Sequence, residues 1–439
     1  MTKISYLLII GLFSVACANE RRENPISKEE NNQFPIQNDS KSSEDLTTIN
    51  FYLENSGSMN PYTKGNTNFN RSIVNLLRDI ELLSLCEINL FAVNTEIYTL
   101  NQNLDEFITT FNKNGIPSLG NTGDSDLNKI FENVLNNHTN GAISILITDA
   151  IYSVKGSKEK ILQNLDTEVF KTRNEFINTL RKKDLGTLCL KLTSNYNGFY
   201  YPAVGGSISI NQDRPYYIWI FGNNHLLKNF NIKAKVFDFP GLTDYFFSLK
   251  HEGAPTKYTI LEYGIGVIGD YRNEKTATYP VHTIIRSNTS TRPDTRGQFG
   301  FAVAVDLSQI PLPGKNLLDK SNYRLTSNEY EIYDVVKIDK NLPFKASENI
   351  ERIKSSQGDI SYTHILLLKT NQKHLQSFEI ELHNDVPRWV EKTGVDDDTE
   401  IIGDTTQTFG FNRLTKGIID AYKNVNESSK IFSIKVNIK

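Results

Sequence analysis

Cysteine is scarce, with 3 in 439 residues, too few for a disulfide framework or a thiolate metal cluster. Cys86 and Cys189 sit in apolar, strand-like stretches (Leu85-Cys86-Glu87-Ile88 and Leu188-Cys189-Leu190) and are expected as small core residues rather than partners in a bridge. The 7 histidines, His138, His225, His251, His282, His364, His374 and His383, include no pair at the three- or four-residue spacing that puts two imidazoles on one helix face for zinc. Charge of one sign is also missing: a formal net charge of -3 leaves no basic excess to neutralise a polyanion, so nucleic acid is not expected as a partner. Gly205-Gly206-Ser207 lacks the lysine of a phosphate-binding loop and reads as a turn. Asp396-Asp397-Asp398-Thr399-Glu400 lacks the alternation and the glycine of an EF-hand and reads as a solvated loop. No fixed-period repeat is visible.

What is present begins with an export pattern. Lys3 precedes the apolar run Tyr6–Phe13, which is too short to span a bilayer, and Ser14-Val15-Ala16 forms a small-residue cleavage site. Cys17 follows directly, and the segment resembles a bacterial lipoprotein signal. The resemblance implies removal of residues 1–16, acylation of Cys17 and a membrane anchor in the cell envelope; a plain cleaved signal peptide is the alternative. Residues 17–47 are rich in Asn, Glu, Ser, Lys and Gln and bury too little apolar surface to offset their ordering entropy, so they are expected as a flexible tether. The Asn- and Lys-rich composition of the whole resembles lipoproteins of Bacteroidetes-type bacteria.

From residue 48 strands and helices alternate. Ile49–Leu53 and the continuous apolar run Ala142–Thr148 read as strands, the latter buried on both faces. The spacing of Ile73, Leu76, Leu77, Ile80 and Leu83 predicts a helix, as do the patterns of 104–111, 127–135 and 168–182. Segments 88–100, 185–192 and 216–221 read as further strands. This order predicts an α/β doubly wound sheet over 48–235. Residues 236–439 carry short apolar strands (258–261, 300–305, 331–336, 364–368, 378–382, 431–438), with a helix at 414–422, and predict a mainly antiparallel β C-terminal domain, a sandwich in form. Trp219 is expected in the core and Trp389 either there or at the surface. With 38% hydrophobic and 23% charged residues, the chain has the composition of globular domains.

Ligands of open α/β sheets bind beyond the carboxyl ends of the strands. Three loops are predicted there: Glu54-Asn55-Ser56-Gly57-Ser58-Met59, Gly120-Asn121-Thr122-Gly123-Asp124-Ser125-Asp126-Leu127, and Thr148-Asp149-Ala150. Together they resemble the metal-ion-dependent adhesion site of von Willebrand factor type A (Rossmann-like) domains, over about residues 48–235. The resemblance implies Mg²⁺ or Mn²⁺ held by Ser56 and Ser58 from the first loop, Ser125 in preference to Thr122 from the second, and Asp149 from the third. Glu54 stands where that family has aspartate, and its extra methylene suits a bridging water or a hydrogen bond to a serine better than the short Mg–O distance. The implied activity is protein binding through a partner's carboxylate, not catalysis. Two other functions fit the same residues: a hydrolase using Ser56 or Ser58 with Asp149 and a histidine such as His138 or His225 brought in by folding, and a structural lipoprotein with a vestigial metal site.

Overall fold

The computed structural model of the protein describes residues 46–82, 86–154, 156–250, 256–274, 280–308, 310, 314–357, 361–372, 376–383 and 385–439. The export segment, Cys17 and all of the tether before residue 46 lie outside the described residues.

The larger sheet has seven strands: β1 (Thr48–Glu54), β2 (Glu87–Val93), β3 (Ile97–Thr99), β4 (Ala142–Thr148), β5 (Gly186–Tyr200), β6 (Ile208–Gly222) and β7 (Leu242–Ser248), in the order β3-β2-β1-β4-β6-β5-β7. β4 lies at the centre, and its neighbour β1 pairs in parallel with both β2 and β4. Both faces are covered. Helices α1 (Asn68–Leu82), α2 (Leu104–Asn114) and α5 (Asn224–Lys233) cover one face, packing Phe69, Ile73, Phe107, Phe111 and Phe230 against Phe51, Ile145, Ile147 and Ile218. Helices α3 (Leu127–Asn137) and α4 (Lys158–Lys182) cover the other, with Phe131, Leu165 and Phe176 against Tyr52, Leu146 and Trp219. Burial on both faces is why β4 reads as an unbroken apolar run. The helix starts are chemically marked: Asn103 and Glu106 form a reciprocal capping box on α2, and Asp126 accepts the amides of Asn128 and Lys129 at the start of α3.

The expectation of a doubly wound sheet holds for the mixed α/β layering and is corrected in the far half of the sheet. β6 runs antiparallel to β4, and β5 and β6 form one long hairpin with all fifteen residues of each arm paired, Gly186 with Gly222 through Tyr200 with Ile208. Residues 201–207 are too few for the helical crossover that a parallel neighbour requires, so an antiparallel return is the available connection. The chain beyond 235 also returns to this sheet: β7 pairs with β5 as an antiparallel edge.

The remainder is built from β8 (Tyr258–Ile260), β9 (Asp270–Asn273), β10 (Thr283–Asn288), β11 (Phe299–Val305), the single turn α6 (Gly314–Leu317), β12 (Tyr323–Leu325), β13 (Tyr330–Lys337), α7 (Phe344–Gln357), β14 (His364–Thr370), β15 (Phe378–His383), α8 (Arg388–Thr393), β16 (Gly394–Val395), β17 (Thr408–Phe409), α9 (Phe411–Asn426) and β18 (Lys430–Ile438). Sheets β13-β14-β11-β8 and β12-β15-β18-β10-β9 enclose a common core of Phe301, Val303, Leu366, Ile380, Ile434 and Val436, which makes a sandwich. Its pairings are antiparallel except β10 with β18. α7 covers the outer face of the first of these sheets through Ala346, Ile350 and Ile353. α8 and α9 leave the sandwich and join the core over β4 and β6, where Phe411 stacks on Tyr217 at 4.1 Å between ring centres. Cys189 is a buried free thiol, Cys86 is half-buried, and Trp219 is fully buried as expected. Among the described residues no helix is long and apolar enough to cross a membrane.

Candidate functional site

The parallel trio β2-β1-β4 ends in register, Glu54 opposite Val93 and Leu53 opposite Ile147. The loops that follow β1 and β4 therefore leave the sheet side by side. Glu54, Ser56, Ser125 and Asp149 are all buried there, and Ser58 is adjacent: its Oγ lies 3.1 Å from that of Ser56. Thr148 Oγ1 donates to Glu54 Oε2 at 2.5 Å, and the hydroxyls of Ser125 and Ser56 also reach the Glu54 carboxyl. Asp149 is reached by the Ser58 hydroxyl, and its Oδ1 accepts the Ile151 amide at 3.2 Å. The five residues selected from sequence thus meet in one cluster. Thr122 and Ser125 both line the adjoining cleft, but Thr122 is half-buried whereas Ser125 is buried and acts on Glu54.

Burial raises both acids above the ordinary carboxylate range, and for Glu54 the neighbouring Asp149 charge adds to it, against the hydroxyl hydrogen bonds that favour the ionised form. Two carboxyls share a dry site whose immediate partners are hydroxyls and amides. Asp149 Oδ2, buried, has no hydrogen-bond partner at all. An orphaned carboxylate oxygen among hydroxyl oxygens from three loops is a donor set that suits a hard divalent cation. It does not suit zinc or another soft ion, and among the described residues no three His, Cys, Asp or Glu side chains stand together as a metal site.

The supports of this cluster are residues that sequence reasoning did not select. Asn55 is fully buried and its Nδ2 donates to the Asn121 carbonyl at 3.0 Å, while Asn94 Nδ2 reaches the same carbonyl at 3.1 Å, strapping the second loop to the ends of β1 and β2. Ala150 holds a left-handed backbone, φ 55°, with its amide on Thr148 Oγ1 at 2.8 Å, which turns the chain away just after Asp149. The turn after Ser58 packs on the β5–β6 hairpin: Tyr62 donates to the Pro215 carbonyl at 2.5 Å and meets the Tyr196 ring edge-on at 4.9 Å. A Cβ at Gly198 would lie 2.5 Å from the Pro61 ring, so only glycine admits this approach.

Because Tyr217 is the partner of Thr148, the last residue of β4, the arms of β5 and β6 continue past the end of β4 and overhang the site. Their tip and the three loops enclose a cleft of about 660 Å³ lined by Ser56, Ser58, Ser125, Tyr152, Tyr200 and Val204 among others, a volume in the range of ligand-binding pockets. The tip is clamped by Asp398, which accepts the Tyr200 hydroxyl at 2.5 Å and the Ala203 amide at 3.0 Å. The acidic run 396–400, expected as a solvated loop, is corrected in this respect: Asp398 is 2% exposed and Asp396 pairs with Arg413. Phe199 and Tyr201 flank the clamp and are 55% and 61% exposed.

Among the described residues no histidine lines the cleft. His138 is bonded to Ser144 Oγ at 2.9 Å and His225 to Asn229 on α5, both away from the hydroxyls. Ser56 and Ser58 therefore have no imidazole base among the described residues, and the geometry gives the hydrolase reading no support. No protein-family model matches the chain, and no curated protein or solved structure is significantly similar to it.

Proposed function

We propose that the chain is a protein-binding module of the von Willebrand factor A type, anchored in the bacterial cell envelope through an acylated Cys17, whose partner docks in the cleft between the three loops and the β5–β6 tip. The observation that carries this reading is the meeting of Ser56, Ser58, Ser125 and Asp149 with an unpartnered carboxylate oxygen beneath that cleft. Those four residues would hold Mg²⁺ or Mn²⁺, and Glu54 would act on the hydroxyls of Ser56 and Ser125 by accepting their hydrogen bonds, which directs their lone pairs toward the ion. When bound, such an ion supplies a Lewis-acidic position that takes up a partner's carboxylate. The chain's own contribution is to exclude water from the acids, to fix the hydroxyls on rigid strand ends, and to present the exposed rings of Phe199 and Tyr201 beside the cleft as apolar contact area.

Calorimetric titration of the purified protein with Mg²⁺ and Mn²⁺ tests the reading. Binding is expected in the parent, is expected to vanish in Asp149→Ala and to tighten in Glu54→Asp. A parent and a Glu54→Asp variant that both fail to bind either ion would remove the cation from the mechanism. The anchor is tested separately by metabolic labelling with an alkyne fatty acid in a bacterial host, where Cys17→Ala is expected to abolish incorporation.

A further inference from the structure

A fully buried arginine is unusual, because a guanidinium keeps its charge at any ordinary pH and loses its hydration on burial. Arg214 is 1% exposed, and among the described residues it is the only buried arginine or lysine. It lies on the arm of β6 that overhangs the end of β4. Its guanidinium carbon stands 4.4 Å from the centre of the Tyr200 ring and 5.6 Å from that of Tyr196. Nη2 makes a long contact of 3.4 Å with the Gln407 carbonyl and the Tyr62 hydroxyl faces the guanidinium, whereas Nε and Nη1 make no direct hydrogen bond.

The complementary deficit belongs to Asp149, whose Oδ2 is an acceptor without a donor. Register brings the two together. Thr148 pairs with Tyr217, so Asp149 comes level with Tyr216, and strand alternation puts Arg214 on the same face as Tyr216. The positive charge of Arg214 acts on the Asp149 carboxyl, opposing the rise caused by burial. Two unsatisfied donors on a permanent cation and one unsatisfied acceptor on an acid thus share one dry region under the cleft.

We propose that Arg214 is the resident counter-charge of the site: it balances Asp149 when no divalent cation is there, and it thereby sets how tightly such a cation is held. The role rests on the cation reading above and acts through Asp149, so Arg214 is a positioning residue and not a ligand. A divalent ion arriving at Asp149 meets a like charge that the tyrosine rings prevent from moving far and that cannot be removed by deprotonation. The ion then takes over from the guanidinium as the charge that offsets Asp149. Tyr200, stacked on Arg214 and tied to Asp398, links this exchange to the hairpin tip that walls the cleft.

The test turns on sign, because damage to a merely structural arginine weakens ion binding, whereas loss of a counter-charge strengthens it. Mn²⁺ is titrated calorimetrically into the parent, Arg214→Gln, Arg214→Lys and Asp149→Ala. Arg214→Gln is expected to bind about tenfold or more tighter than the parent, with Arg214→Lys close to the parent. A second measurement in chelator, with no ion present, is a double-mutant cycle of urea stability on Arg214→Gln and Asp149→Asn. The double variant is expected to be more stable than the summed effects of the single ones, since each single change leaves one buried charge uncompensated. Equal or weaker Mn²⁺ binding by Arg214→Gln, with parent binding lost in Asp149→Ala, overturns the counter-charge role and leaves the cation reading standing. Additive stabilities also overturn it. Absence of Mn²⁺ binding in the parent, Glu54→Asp and Arg214→Gln alike overturns the cation reading and this inference with it.

Discussion

Removing the Asp398 carboxylate by Asp398→Ala should release the hairpin tip from the rest of the protein. Asp398 accepts from the Tyr200 hydroxyl at 2.5 Å and from the Ala203 amide at 3.0 Å. Hydrogen bonds to a charged acceptor contribute about 1.5–3 kcal/mol each. Water cannot readily replace the carboxylate, because Tyr200 is 1% and Asp398 2% exposed. Two such bonds set an upper range of about 3–6 kcal/mol, and partial collapse of the tip into solvent reduces the expected loss to about 3 kcal/mol. Asp398→Asn keeps one acceptor oxygen and should lose about half as much. Urea unfolding measures the global term, and hydrogen exchange at residues 199–206 measures the local one, where protection of the Ala203 amide should fall in Asp398→Ala well before that of β4. A loss under about 0.5 kcal/mol with unchanged exchange at the tip would refute the reasoning, since it would mean that the hairpin holds its position through the tyrosine packing alone.

His138 supplies a pH dependence. Burial lowers its pKa from 6.5 to about 4, with Lys183 adding to the effect, so the unfolded chain takes up a proton between those values that the folded one refuses. Stability is full above pH 6.5 and falls as the pH drops toward 4, by about 3 kcal/mol for this group alone at about 1.4 kcal/mol per pH unit. The curve for His138→Gln, measured by urea unfolding at each pH, should be flatter by that amount, and parallel curves would exclude the effect. Phe411 joins α9 to the larger sheet by stacking on Tyr217 at 4.1 Å and on Trp389 at 5.7 Å. Phe411→Ala should cost about 3–5 kcal/mol by thermal or urea unfolding, and a cost below about 1 kcal/mol would show that α9 contributes little to holding that face.

The parallel half of the larger sheet was legible because its strands and helices carry the period of their burial. β4 is apolar at every position but Ser144 and Thr148, and α1 and α3 repeat their apolar residues at helical spacing. The candidate site was legible for the same reason, since parallel strands that end in register deliver their loops to one place. The hairpin arms were not. Residues 193–200 and 208–215 are largely polar because they run beyond the layer of helices, and they are held as strands by pairing with each other. Polar sequence without a covering helix carries no period by which a strand is recognised. Arg214 and Asp398 were hidden in those terms too. Each sits in a hydrophilic stretch, Asn211-Gln212-Asp213-Arg214-Pro215 and the acidic run 396–400, and becomes buried only because a segment distant in sequence folds over it.

That hidden part changes how the acids at the strand ends are to be understood. Glu54, Asp149 and Arg214 are all nearly inaccessible to solvent, and solvation by water does not offset their charges as it would at the surface. The three groups must therefore balance one another with the hydroxyls of Ser56, Ser58, Ser125 and Thr148 as the remaining polar partners. Glu54 and Arg214 then belong to one arrangement. The longer acid turns its carboxyl toward three hydroxyls while Asp149 keeps one oxygen open, and the guanidinium acts on that carboxyl through its charge. On the proposed cation reading, such a site passes between a state in which the arginine alone offsets Asp149 and one in which a divalent cation takes the open oxygen. The ring of Tyr200 touches the group that must yield between them, and its hydroxyl holds the wall of the cleft. On that reading ion occupancy is linked to the wall of the cleft by the charge of Arg214 acting on Asp149 and by two contacts, Arg214 on the Tyr200 ring and Tyr200 to Asp398, each of which a single substitution can cut.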